Sequence, residues 1–216
     1  DLLTRIDPND PVIVDGDNAQ VFVRPGEDIQ QMVTKTINAR NERQKIYAAL
    51  KEEEPETLDG QRISLNLNAG LLIDLQNLKD TGVDGIGLYR TEIPFMVREE
   101  FPSVEGQTEL YRNIYEMADG KNVMFRTLDI GGDKQLPYFH AMAEENPNMG
   151  WRAVRVALDR PSMLRQQLRA LIRGANGRNL SIMFPMIAEV AEFEAAAKSI
   201  LGRELEREKK RGGVLP

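Results

Sequence analysis

The chain contains two stretches that end alike, Gly85-Ile-Gly-Leu-Tyr-Arg-Thr-Glu92 and Asn122-Val-Met-Phe-Arg-Thr-Leu-Asp129. In each stretch a short apolar run closes on an aromatic residue, and an Arg-Thr pair follows it. A short apolar run bounded by polar and turn-forming residues predicts a buried β-strand. Each Arg-Thr pair is therefore expected to begin the loop at the carboxyl end of its strand.

Strands and helices alternate on both sides of these two stretches. Strands are predicted at residues 63–69, 85–89, 122–125 and 180–184, and helices at about 71–80, 104–118, 161–174 and 190–210. Four such alternations predict parallel βα units and an α/β fold class. In a barrel built from such units, the functional side chains lie at the carboxyl ends of the strands.

The residues before Pro55 follow a different pattern. Two β-branched runs flank a Gly/Asp/Asn turn in residues 11–24, which predicts a β-hairpin. Residues 27–54 carry apolar side chains mostly three or four positions apart, which predicts an amphipathic helix. This helix is expected either to lie as a linker on a neighbouring surface or to bind a partner. The charge run that ends at Pro55 predicts a boundary there.

Arg90 and Arg126 are the strongest candidates for binding an anion. They occupy equivalent positions after two successive predicted strands, so their side chains are expected to converge at one end of the sheet. A guanidinium group stays charged at any workable pH and matches a phosphate or a carboxylate with two hydrogen bonds. The alternative is that each arginine forms a structural ion pair with Glu92 or Asp129.

The long loop after the third predicted strand allows more than one interpretation. Gly131 and Gly132 let backbone amides approach an anion closely, although Gly-Gly-Asp-Lys is also an ordinary turn. Arg152, which follows the only tryptophan, is either a third anion-binding arginine or, together with Arg155, an ion-pair partner of the acidic residues 144–145.

His140 is the only histidine of the chain, and its surroundings offer neither a pattern of ligands nor supporting Gly, Thr or Ser residues. It is therefore expected to have no catalytic role. No spacing of His, Asp and Glu residues indicates a metal site. No catalytic residue is assigned within the chain.

The composition excludes several classes of protein. With 41% hydrophobic and 29% charged residues among 216, the chain can bury a core. Its net charge of −6 argues against general binding to nucleic acid or to an anionic membrane. The absence of cysteine excludes disulfides and thiolate metal sites. No apolar run approaches the roughly 20 residues of a membrane helix, and a cytoplasmic location is expected.

Four strings of the sequence resemble one family, Enzyme I, the phosphoenolpyruvate–protein phosphotransferase of the bacterial phosphotransferase system. They are Gly85-Ile-Gly-Leu-Tyr-Arg-Thr-Glu92, Arg126-Thr-Leu-Asp-Ile-Gly-Gly-Asp-Lys134, Glu145-Asn-Pro-Asn-Met-Gly-Trp-Arg152 and Asn179-Leu-Ser-Ile-Met-Phe-Pro-Met-Ile187. The strings 64–70 and 91–96 are more similar to the nitrogen-regulatory branch of that family than to its sugar-uptake branch.

The resemblance implies that phosphoenolpyruvate (PEP) binds with Mg²⁺ in a (β/α)₈ barrel. Its phosphoryl group then passes to a histidine on a swivelling domain and on to a small histidine-containing phosphocarrier protein. Position by position, Arg90 and Arg126 match the phosphate-binding arginines of the family, and Arg152 matches a third arginine of its active site. Such chemistry needs positioning and neutralisation of charge on the phosphoryl oxygens, which arginines supply.

The resemblance also divides the chain into three parts. Residues 1–26 are expected to end the phosphohistidine domain, 27–60 to form a helical linker, and 61–216 to form the N-terminal half of the barrel. The acceptor histidine is expected before residue 1 and the Mg²⁺ ligands beyond Pro216. The chain alone is therefore expected to be an inactive excerpt of a protein that forms a homodimer.

Two alternatives stay open from the sequence. Pyruvate phosphate dikinase and PEP synthase share the barrel and an Arg-Thr-Glu loop, but the string after Arg126 favours Enzyme I. The chain could instead be a noncatalytic regulatory module, in which case Arg90 and Arg126 would show no affinity for phosphate.

Overall fold

The order of the strands is consistent with part of a βα barrel. The computed structural model describes residues 6–16, 18–51, 53–76, 78, 81–131, 146 and 150–216. Its larger sheet contains four parallel strands: β3 (Asn66–Ala69), β4 (Gly85–Arg90), β5 (Asn122–Arg126) and β6 (Ser181–Met183). The strands lie side by side in chain order. A doubly wound sheet reverses its strand order at a switch point, whereas a βα barrel winds in one direction.

The helices that connect these strands complete the βα units. They are α2 (Ile93–Met96), α3 (Val104–Ala118), α4 (Val154–Asp159), α5 (Pro161–Ala175), α6 (Val190–Phe193) and α7 (Gly202–Lys210), together with a 3₁₀ turn (Leu72–Leu75) and a π-helical stretch (Glu194–Leu201). Because α3 packs on α5, and α5 on α7, the connecting helices cover one face of the sheet. The α/β fold class and the partial barrel predicted from the sequence are confirmed.

The core lies between the sheet and these helices. Phe125 of β5 is fully buried, and its ring centroid lies 5.3 Å from those of both Tyr111 and Tyr115 of α3. Tyr89 of β4 lies 6.0 Å from the same phenylalanine ring. Gly174 of α5 allows the helices to approach closely, because a Cβ atom there would lie 2.8 Å from Cβ of Tyr111. The aromatic residues that end the strands therefore anchor the sheet to α3.

Three predicted elements differ from the structure. The first strand of the barrel begins at Asn66 rather than at residue 63, because both the backbone and the carboxylate of Asp84 bond the backbone of Leu65. In place of the helix predicted at 71–80, the described residues form only the 3₁₀ turn, with bonds between residues three apart. The helix predicted at 190–210 passes through the π-helical stretch, and α2 and α4 fall in segments predicted as loops.

The chain divides into two compact units, Asp1–Glu54 and Pro55–Pro216. The first contains an antiparallel hairpin of β1 (Val12–Asp15) and β2 (Gln20–Val23), followed by helix α1 (Glu27–Leu50). The hairpin and the helix were both predicted. No residue of α1 is buried, so the surface or partner that its apolar residues would contact stays a prediction, as does the division of the chain into three parts.

Candidate anion-binding site at the strand ends

Arg90 and Arg126 lie side by side at the carboxyl ends of β4 and β5. They are register partners in the parallel ladder, as are Tyr89 and Phe125 immediately before them. Because side chains alternate between the faces of a strand, and the two aromatic residues face the helices, both arginines project to the opposite face. In a βα barrel that face is the interior. The structure thus brings together the pair that the repeated Arg-Thr motif singled out.

Arg126 is held by two carboxylates at the ends of the strands. Its Nη2 atom donates to Oε1 of Glu92 and lies 3.5 Å from Oδ2 of Asp129. Glu92 is fully buried and Asp129 is 5% exposed, so the pairing takes place largely out of water. The structural ion pair that the sequence left open as the alternative for Arg126 is present, and binding of an anion by this residue stays a prediction. Fixing a guanidinium between carboxylates also limits the orientations that its remaining donors can take.

Arg90 has a different environment. Its guanidinium packs against Gly70 at the end of β3, where a Cβ atom would lie 3.3 Å from both Nε and Nη2. Among the described residues, its buried Nε atom has no hydrogen-bond partner, which is also true of the Nε atom of Arg126. Backbone N–H groups of Gly70 and Leu71 donate to Asp74 at 2.9 Å and lower the pKa of its carboxyl, and the charge of Arg90 lowers it further. Arg90 thus lies beside an ionised carboxylate without a hydrogen bond to it.

Arg152 approaches from the loop before α4 and binds the same aspartate as Arg126. Its Nε and Nη2 atoms donate to the two carboxylate oxygens of Asp129, at 2.7 and 3.0 Å. This bidentate pair was not among the alternatives proposed from the sequence. The acidic residues 144–145, proposed there as partners, lie outside the described residues. Within the described part of the chain, the Nε atom of Arg155 lies 3.7 Å from Oε1 of Glu192.

Gly131 explains how Arg152 comes so close to the end of β5. Its φ angle is 116°, and a Cβ atom there would lie 2.9 Å from the carbonyl oxygen of Trp151 and 3.0 Å from Cα of Arg152. The bond from Ala153 N to Ile130 O, 3.0 Å long, fixes the same contact. This glycine therefore provides room for the backbone that carries Arg152. Gly132, residues 133–134 and His140 lie outside the described residues, so their predicted roles stay predictions.

Replacing Gly131 with alanine is expected to lower the free energy of unfolding by about 2 kcal/mol, because the left-handed backbone and the close contact both oppose a Cβ atom. Gly120→Ala is the matched control, since Gly120 also has a positive φ but no atom within 4 Å of its Cβ position. Urea denaturation of the 216-residue chain measures both variants. Equal losses in the two would show that the contact with residues 151–152 contributes nothing.

Gln167, a residue that the sequence analysis missed, connects the two Arg-Thr loops. It lies on α5, is fully buried, accepts a hydrogen bond from Leu128 N at 3.0 Å and donates to Oγ1 of Thr91 at 2.9 Å. The feature that could have revealed it is its position on the apolar face of α5, between Leu164 and Leu171. A lone amide within an apolar stripe indicates a buried hydrogen-bonding role.

Counted over the residues that the structure describes, the site carries no surplus of positive charge. Its three arginines are matched by the carboxylates of Asp74, Glu92 and Asp129. Selectivity for an anion would thus depend on the directed N–H donors of the guanidinium groups rather than on net charge.

The described residues provide no metal site and no membrane-spanning helix. No group of three His, Cys, Asp or Glu side chains in the described part of the chain is placed to hold a metal ion. Mg²⁺ therefore does not fit the residues at hand.

Of the helices whose residues the structure describes, none combines the length and the apolar character needed to cross a bilayer.

Comparisons with known proteins point to one family. The chain is 40% identical over 204 residues to the phosphoenolpyruvate-protein phosphotransferase of Staphylococcus carnosus, covering 94% of this chain and 35% of that protein. Against the proteins of the same name, identity is 41% over 201 residues in Bacillus subtilis and 45% over 196 in Latilactobacillus sakei. These matches cover 93% and 90% of this chain, but 35% and 34% of those proteins.

The chain thus spans about a third of the length of the curated relatives it matches. A family model matches a shorter stretch of the chain than these relatives do. Residues 44–214 match the model described as "PEP-utilising enzyme, PEP-binding domain", a range that includes every described strand of the parallel sheet and all three arginines. The chain therefore belongs to the PEP-binding domain family of PEP-utilising enzymes.

Proposed function

We propose that this chain is the part of a PEP–protein phosphotransferase that holds the phosphate group of PEP, and that Arg90 and Arg126 are its principal phosphate ligands. The observation that carries the proposal is their register pairing at the carboxyl ends of adjacent parallel strands. Adjacent strands lie about 4.8 Å apart, so two guanidinium groups on one face can share a single phosphate.

The chemistry of the pair suits phosphoryl transfer. That reaction demands positioning and neutralisation of charge on the phosphoryl oxygens more than covalent catalysis. Arg126 is oriented in advance by its two carboxylate partners. Arg90 has a buried donor without a partner among the described residues, and such a donor is costly. Its guanidinium therefore gains hydrogen bonds by turning toward a bound anion. Arg152 is proposed as a third ligand, anchored through Asp129.

The proposal extends to the remainder of the reaction. The phosphoryl group passes to a histidine and then to a small histidine-containing phosphocarrier protein, Mg²⁺ assists, and the protein acts as a cytoplasmic homodimer. These features follow from the resemblance, whereas the names of the relatives state only phosphoryl transfer from PEP to a protein. No step is derived through Mg²⁺, because the described residues offer it no ligands. The relatives' names specify no branch of the system, so the nitrogen-regulatory branch stays a prediction.

In the full-length protein, Arg90→Lys is expected to lower kcat/KM for PEP at least about tenfold, because lysine keeps the charge but loses the planar fork of donors. Pyruvate release, or phosphorylation of the phosphocarrier protein, measures the effect. The matched control is Arg98→Lys, since Arg98 is exposed and lies between α2 and α3, in the segment that follows β4. If the two variants have the same kinetics, Arg90 does not bind the phosphate group.

A further inference from the structure

Gln167 contacts three separate elements from a fully buried position on α5. Its Oε1 atom accepts from Leu128 N, and its Nε2 atom donates to Oγ1 of Thr91 and, at 3.2 Å, to the hydroxyl of Tyr111. Thr91 follows β4, Leu128 follows β5 and Tyr111 belongs to α3. One amide therefore joins the loops after two strands to the helix layer behind them.

These contacts lead to Arg126. One further hydrogen bond joins Thr91 to its backbone, and the residues after Thr91 and Leu128 contact its guanidinium group. Thr91 donates its hydroxyl proton to the backbone oxygen of Arg126, at 2.7 Å. The next residue after Thr91 is Glu92, and the next after Leu128 is Asp129. These are the two carboxylates that hold the guanidinium of Arg126. Both the backbone and the charged end of this arginine are thus fixed from the same buried side chain.

We infer that Gln167 is a positioning residue for the phosphate site, acting by fixing Arg126 and its two carboxylates. The inference rests on the proposed function, because Gln167 can position Arg126 for catalysis only if Arg126 binds a phosphate group. Gln167 does not touch the anion itself, since it lies on the helix-covered side of the sheet with Tyr111.

The role requires an amide rather than any side chain of similar size. Gln167 accepts one hydrogen bond and donates two, and an amide group offers both kinds of atom. Methionine would fill a similar volume without either. Burial raises the pKa of Tyr111 far above its ordinary value, so its hydroxyl stays protonated, and its oxygen accepts one N–H of the amide at 3.2 Å. Both the oxygen and the nitrogen of the amide therefore form hydrogen bonds within the protein.

The test compares Gln167→Met with Gln107→Met in the full-length protein. Gln107 is equally buried but bonds only the carbonyl of Pro102 at the start of α3, at 2.8 Å. Both substitutions remove a buried amide, so both are expected to lower the melting temperature. Only Gln167→Met is expected to lower kcat for PEP. The expected loss is about tenfold, which corresponds to the free energy of one neutral hydrogen bond. Unchanged kcat in Gln167→Met, or an equal loss in Gln107→Met, would overturn the inference.

A second measurement separates this inference from the proposed function. In NMR spectra without PEP, the side-chain Nε–H of Arg126 is expected to exchange with solvent faster in Gln167→Met than in Gln107→Met. If the wild-type protein fails to turn over PEP, the proposed function is wrong, and the exchange rates alone decide whether Gln167 fixes Arg126. Equal exchange in both variants would show that it does not.

Discussion

Replacing Arg126 with methionine in the full-length protein is expected to lower kcat/KM for PEP about 10³-fold, the upper range for losing one fixed donor at a site of developing charge. The same substitution is expected to lower the free energy of unfolding by about 3 kcal/mol, because removing one partner of a buried ion pair leaves an uncompensated charge. Glu92 is fully buried and would lose this cation, whereas Asp129 would keep Arg152. Steady-state kinetics and urea denaturation measure the two effects separately.

A second substitution distinguishes the two roles of Arg126. Adding Glu92→Gln to Arg126→Met removes the buried charge and is expected to restore most of the lost stability without restoring turnover. By contrast, Arg90→Met is expected to impair turnover with little change in stability, since Arg90 forms no ion pair in the described part of the chain. If turnover returned together with stability in the double variant, Arg126 would be a structural residue only.

The position of the arginine pair was predictable because it depends on local patterns. A short apolar run that closes on an aromatic residue fixes both the end of a strand and the face on which the next residue lies. The same pattern occurs twice in successive strands. Register in a parallel sheet then places Arg90 and Arg126 side by side. None of these steps requires knowledge of contacts between distant residues.

The counter-ions and supports of the pair were not fully predictable, because they depend on such contacts. The pairing of Arg126 with Glu92 joins residues 34 positions apart, and the bond from Gln167 to Thr91 joins residues 76 apart. The sequence offered Glu92 and Asp129 as alternative partners of the arginines, but spacing along the chain indicated neither that Arg126 lies close to both nor that Gln167 bonds Thr91. The 3₁₀ turn at Leu72–Leu75 was missed for a local reason, since Asp74 uses its carboxylate to accept the N–H groups of Gly70 and Leu71.

A second ion-pair network, away from the site, carries the largest predicted effect on stability alone. Arg173 of α5 donates to both carboxylate oxygens of Glu208 of α7, at 2.8 and 3.0 Å. Glu208 is 4% exposed, and these bonds lower the pKa of its carboxyl. Glu208→Gln is expected to lower the free energy of unfolding at pH 7 by about 3 kcal/mol. This is the low end of the range of losses caused by removing one partner of a buried ion pair. The low end applies because the side chain of Arg173 is 28% exposed and can gain water.

The pH dependence of this effect has a definite sign. The pKa of Glu208 in the folded chain is lower than the 4.5 of the unfolded chain. Its stabilising contribution is therefore complete above pH 4.5 and is lost as the pH falls through the folded pKa. The difference in stability between the wild-type chain and Glu208→Gln should accordingly decrease as the pH falls below 4.5, as measured by urea denaturation from pH 7 to pH 3.

Glu105 provides a matched control, because it forms an ion pair with the same arginine, Arg173. Glu105 lies 3.6 Å from Arg173, but its side chain is 80% exposed. An exposed pair contributes about 0–1 kcal/mol, because water and salt screen it. Glu105→Gln should therefore cost less than 1 kcal/mol at pH 7. Equal losses from the two substitutions, or a loss in Glu208→Gln that is as large at pH 3 as at pH 7, would show that the carboxylate of Glu208 does not stabilise the packing of α5 on α7 through its charge.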